Sequence, residues 1–207
     1  PSSSSPASFI GALTLASASS VGGFGDLTLN SITAATGNNL TKQGAGTLIL
    51  KADNSATLAS NITVSLGTLK LNSSGALGNT TGTTTIASGA VLDLNGMTVG
   101  NEPITIGGSG YGGSGTITGM GSVSSLGALI NTSTTAATLG SSSAGIITLS
   151  GNTTVGSNYV NDVSGVTKGG KITINEAFTG TTGTVTKVGA NTVEVTSAAT
   201  WTSTASF

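Results

Sequence analysis

The sequence predicts an all-β chain wound as a parallel β-solenoid with coils of about 20 residues. Three observations predict it. The first is a recurring tripeptide in which two aliphatic residues flank a polar one. It stands at Leu13 to Leu15, Leu27 to Leu29, Leu69 to Leu71, Leu92 to Leu94, Ile104 to Ile106, Ile147 to Leu149, Ile172 to Ile174 and Val193 to Val195. A strand alternates in this way when one face is buried and the other is wet. The second is glycine spacing: Gly46, Gly67 and Gly89 introduce successive strands at intervals of 21 and 22 residues. That is one solenoid coil, and longer than the roughly 8–12 residues between strands of a sandwich. The third is that apolar residues never recur with helical period for more than a turn.

In chain order, residues 1–37 are expected to form an N-terminal extension and the first coils, their strands following Gly11 and Gly25. Residues 38–195 form the solenoid body. Within it Leu48, Leu50, Leu69, Leu71, Leu92 and Leu94 are predicted to stack in register inside the coil. Each such burial contributes about 1.5–3 kcal/mol. Lys70 and Asp93, as strand centres, are expected on a solvated face, and Asn95-Gly96 is a turn signal. Leu48-Ile49-Leu50 is the exception to the pattern, since its outward residue is apolar. The stretch from Gly107 to Gly115 reads as a loop or wide corner, with Tyr111 available for a lateral contact. Residues 196–207 are expected to form a C-terminal strand or cap. Roughly ten coils at about 4.8 Å each predict a rod near 50 Å long.

Two short segments repeat across the body: Leu40 to Leu50 (LTKQGAGTLIL) and Val185 to Val195 (VTKVGANTVEV). The first opens a longer pattern, Gly44 to Val99, with a glycine-introduced Gly46-Thr47-Leu48-Ile49-Leu50, a second Gly67-Thr68-Leu69-Lys70-Leu71, then Ala76-Leu77-Gly78 and Gly89-Ala90-Val91-Leu92-Asp93-Leu94-Asn95-Gly96. This pattern resembles the passenger-associated repeat of bacterial autotransporters. The resemblance covers about 55 residues. It implies a single-stranded, right-handed parallel β-helix, secreted and displayed at a cell surface, in which the repeat helps the passenger fold during export. The sequence departs from the family in two respects: the usual aromatic of the polar loop is missing between Asn54 and Ile62, and none of these residues reads as a barrel of long amphipathic strands, so self-transport is not expected of this stretch by itself.

Composition narrows the function. Six lysines and seven acids give a net charge of −1, with no arginine and no histidine. That leaves no electrostatic footprint for nucleic acid or for an anionic membrane, so nucleic-acid binding is not expected; no apolar run approaches the ~18 residues a membrane helix needs, so membrane insertion is not expected either. Zero cysteine removes disulfides and thiolate metal sites. Without His or Cys, the nucleophile–histidine constellations of hydrolases cannot be assembled within this chain. Asp26, Asp53, Asp93, Glu102, Asp162, Glu176 and Glu194 are scattered along the sequence, so a converging carboxylate pair is not expected. No enzyme activity, no cofactor and no metal are predicted. Gly22-Gly23-Phe24-Gly25-Asp26 is similar to half of a calcium-binding nonapeptide, but the aspartate falls one place early and no tandem copy follows, so a glycine-rich corner is expected. Glycosylation triplets at Asn39, Asn61, Asn72, Asn79, Asn131 and Asn152 arise from an Asn-, Ser- and Thr-rich composition.

The expected function is structural: a subunit of a self-assembling extracellular fibre, joined head to tail. Phe9, Ile10, Trp201 and Phe207 are the candidate assembly residues, because an extended tail with an aromatic suits strand addition between copies. The alternative is a stalk or adhesin segment of an autotransporter-like surface protein that contacts a host or biofilm surface. A third reading is an ice- or glycan-binding β-helix. Glycan binding would use Trp201, Tyr111 or Tyr159, and ice binding would use threonine pairs such as Thr83/Thr85, Thr116/Thr118, Thr132/Thr134 and Thr184/Thr186. The uneven intervals between those pairs argue against one regular array.

Overall fold

A computed structural model describes residues 6–110, 115–117, 121–123, 127–141, 145–156, 159–162, 165–180, 183–196 and 205–206. These residues form no helix, and apart from two antiparallel hairpins their strands stack parallel, coil upon coil. The first two coils carry β1 (Ala7–Leu15), β2 (Ser19–Gly22), β3 (Leu27–Ala34) and β4 (Leu40–Gln43). The next two carry β5 (Thr47–Leu50), β6 (Ile62–Val64), β7 (Gly67–Leu71) and β8 (Thr84–Ile86). A third face begins to form regular strands in the following coil, with β9 (Ala90–Asp93), β10 (Thr98–Val99) and β11 (Ile104–Gly108). A hairpin of β12 (Gly115–Ile117) and β13 (Gly121–Val123) leaves the solenoid before it resumes with β14 (Leu129–Ile130), β15 (Ala137–Leu139) and the long β16 (Ile146–Val155). A second hairpin, β17 (Tyr159–Asp162) with β18 (Gly165–Lys168), precedes β19 (Ile172–Ile174), β20 (Ala177–Thr179), β21 (Val185–Lys187), β22 (Val193–Val195) and β23 (Ala205–Ser206).

The register explains the sequence pattern. On the first face Leu27, Leu48, Leu69, Leu92 and Leu129 are successive partners, and Leu29, Leu50 and Leu71 run beside them. Leu48, Leu50, Leu69, Leu71, Leu92 and Leu94 are all at most 1% exposed and belong to one continuous core. Leu94 lies beyond the end of β9, and its amide donates to the Ile130 carbonyl at 2.9 Å. Identical side chains stacked at a strand spacing of about 4.8 Å interlock, which lets so few residue types fill the interior. The second face stacks Leu40, Ile62, Thr84, Ile104 and Ile147, and the third stacks Val99, Leu139, Ile174 and Val195. Among the described residues the first face has nine rungs, β1, β3, β5, β7, β9, β14, the end of β16, β21 and β23, against the roughly ten coils expected.

Gly67 shows why glycine opens a coil. Its φ is +80°, a region that side chains avoid. A Cβ there would stand 2.5 Å from the carbonyl oxygens of both Gly44 and Gly46.

One expectation is corrected. Asp93 is not on a solvated face: it is 2% exposed, and every residue of β9 is buried. The segment after β14 folds over it, so that Thr132 donates to Asp93 through its amide at 3.0 Å and through its hydroxyl at 2.5 Å. The Asn95 amide adds a third bond at 2.9 Å.

Candidate functional site

The repeated Leu40 and Val185 segments each build a corner closed by a lysine. Lys42 occupies an inward position in register with Val64, and its chain passes through the interior to the coil edge. There its ammonium donates to the carbonyls of Gln43 at 3.0 Å, Gly44 at 2.7 Å and Leu66 at 2.9 Å. Three acceptors match the three protons of an ammonium. Burial pulls Lys42 down to about 8, partly opposed by Asp26. In the second copy Lys187 donates to the Gly189 carbonyl. Gly44 and Gly189 stand at the same offset from their lysines, with φ of +74° and +72°. The motif is a strand, a lysine-closed corner and a second strand.

The candidate assembly residues fall into two groups. Trp201 and Phe207 lie outside the described residues. Phe9 and Ile10 are on β1, the outermost strand of its sheet, and are 46% and 82% exposed. The ladder to β3 shifts register between Phe9 and Ala12, so Ile10 sits on a bulge, where its carbonyl accepts the Asn30 side chain at 3.0 Å. Phe24, at the corner before β3, is 77% exposed. Its neighbour Asp26 accepts the Thr47 amide of the next coil at 3.0 Å. At the other end, Ala205 and Ser206 pair with Val185 and Thr186 of the same chain.

A regular threonine array does exist, at positions the sequence intervals conceal. Ser20, Thr41, Thr63, Thr85, Thr105, Thr148 and Thr179 are consecutive register partners along the second face. None of them is buried, and Thr148 and Thr179 stand 3.4 Å apart, oxygen to oxygen. The rank carries no charge. Of the proposed threonine pairs, Thr83/Thr85 places one residue in it.

Asparagines do structural work that the sequence reading missed. Asn54 and Asn131 are fully buried. Asn54 accepts the Ile32 amide at 2.9 Å and donates to the Ala76 carbonyl at 2.9 Å, bridging three coils. Asn131 accepts the Gly96 amide at 2.9 Å and donates to Gly170 at 3.1 Å, so its triplet cannot present a glycan. On the surface Asn39, Asn61 and Asn152 accept the amides of Asn61, Thr83 and Thr184 at 3.0–3.1 Å.

Two of the scattered acids also fall in one register column. Glu102 and Glu176 stand two residues before Ile104 and Phe178, which share a register column with Ile147. They are 5% and 0% exposed. The signal was the dipeptide Asn-Glu ahead of a strand, at Asn101-Glu102 and Asn175-Glu176.

Among the described residues no three His, Cys, Asp or Glu side chains gather as metal ligands, and no helix is long and apolar enough to cross a membrane. No family model and no solved structure matches the chain. A 92-residue stretch, 44% of this chain, is 42% identical to the adhesin BmaC autotransporter of Brucella suis biovar 1 (strain 1330). That stretch is 3% of the relative's length, so the chain spans a small part of the curated protein it matches. The fold and this partial identity agree with an autotransporter-type passenger.

Proposed function

We propose that this chain is a segment of a surface-displayed adhesin passenger of the autotransporter type, a rigid β-helical stalk that carries or forms the adhesive surface without catalysing a reaction. The unbroken leucine ladder from Leu27 to Leu129 carries this reading, because a one-dimensional stack of coils transmits length and stiffness rather than forming a cleft. The identity to a named adhesin supports it, and supports it better than a fibre subunit. The test is antibody labelling of intact cells that produce the protein, with negative-stain images of the purified chain. Surface label and short rods of uniform length are expected. Label that appears only after lysis overturns the reading.

A second reading, head-to-tail association through β1, is supported by the exposed Phe9 and Ile10 on an unpaired edge. Two features weigh against it: the β1 bulge, a common way to blunt an edge, and the pairing of Ala205 and Ser206 within their own chain.

A further inference from the structure

We propose that Glu102 and Glu176 form a proton-dependent fastener between three successive coils, closed while the pair is protonated and loosened when both carboxyls become charged. The register places them above and below Gly145, since Ile104, Ile147 and Phe178 share one column and Glu102, Gly145 and Glu176 each precede it by two residues. Glycine is what makes room for Glu176. A Cβ on Gly145 would stand 2.3 Å from Glu176 Oε1, and one on Gly140 would stand 2.2 Å from Glu176 Cγ. The Glu176 side chain therefore runs past the middle coil toward the Glu102 coil.

The corner is sparsely bonded. Neither Glu176 carboxyl oxygen has a hydrogen-bond partner among the described residues. Glu102 receives the Thr84 hydroxyl at 3.0 Å and lines a cavity of about 100 Å³ with Leu77, Gly78, Val99, Gly100 and Asn101. No lysine or other acid lies on β8, β10, β11, β15, β16, β19 or β20, which pack around the pair. Glu194 on the neighbouring β22 is exposed and is held by Lys171 at 2.6 Å. A buried carboxylate without a cation or sufficient donors takes up a proton. Burial pushes Glu102 up to about 8; the Thr84 hydroxyl opposes this and the Glu176 carboxyl adds to it. Burial pushes Glu176 up to about 7, and the Glu102 amide, already bound to the Gly100 carbonyl at 2.8 Å, draws it back only in part.

The direction follows from linkage. Both groups bind protons more tightly in the folded chain than at the ordinary glutamate value of 4.5. Their contribution is complete below that value and is lost as the pH rises through about 7 and 8. The test is the melting temperature from pH 5 to pH 9 for the parent chain and for E102Q/E176Q, which keeps the shape and cannot ionise. The parent should lose on the order of 5 °C or more across the range, and the variant should change much less. Parallel profiles overturn the proposal. Should the variant fail to fold, hydrogen exchange on the parent decides: amides of β11 and β20 should lose protection relative to β5 and β7 between pH 6 and 8, and equal behaviour of all four overturns it. If calcium at pH 8 raises the melting temperature of the parent and not of E102Q or E176Q, the pair is a cation site, and the proton mechanism is overturned.

Discussion

Lys70 and Asp93 face each other in register across β7 and β9, with Lys70 Nζ 3.6 Å from Asp93 Oδ2 and 3.1 Å from the Thr132 hydroxyl that donates to the same carboxylate. The pair is asymmetric: the lysine side chain is 30% exposed and the aspartate 2%. Removing the buried partner leaves amide and hydroxyl donors stranded, whereas removing the lysine leaves the carboxylate its other bonds. Asp93→Ala should lower stability by about 2–4 kcal/mol and Lys70→Ala by less than about 1 kcal/mol, read from denaturant midpoints. Equal effects would show that the Thr132 segment does not close over Asp93.

The leucine ladder makes Leu69 a sensitive probe, because it pairs with Leu48 on one side and Leu92 on the other. Leu69→Ala should cost about 2–5 kcal/mol, and Leu69→Asp should abolish the cooperative transition by burying an unpaired charge. A Leu69→Asp chain that melts like the parent refutes the in-register stack.

Lys42→Met keeps most of the buried stem and removes the ammonium from three carbonyls. A loss of about 2–4 kcal/mol is expected, with the same change at Lys187, for which one carbonyl partner is found, costing less. Thermal denaturation of the two variants side by side checks the ranking.

Chelators should leave the melting temperature unchanged, since the Asp26 carboxylate already accepts the Thr47 amide and needs no ion to hold its corner. A large drop with EDTA would reinstate a calcium site there.

The threonine rank gives the lattice-binding expectation a definite address. If this face contacts ice, Thr85→Arg and Thr105→Arg should abolish inhibition of ice recrystallisation and shift stability by only about 0.5 kcal/mol, because neither is buried. Absence of inhibition by the parent chain removes that reading.

The sequence by itself determined the class of fold and the identity of the core. Alternation of period two, glycines one coil apart and repeated leucines suffice, because every coil must solve the same local problem: bury two aliphatic residues and turn a corner. Tertiary structure decided which outward residues stay outward. Asp93 has the local pattern of a wet strand centre, and it is buried where Thr132 returns over it from the next coil. The threonine rank and the Glu102–Glu176 pair were hidden for a related reason. Hairpins and loops of unequal length separate their members in sequence, while backbone pairing restores them to a common register in space. Sequence distance records the length of the excursions. Register records the hydrogen bonds, and these set which side chains meet.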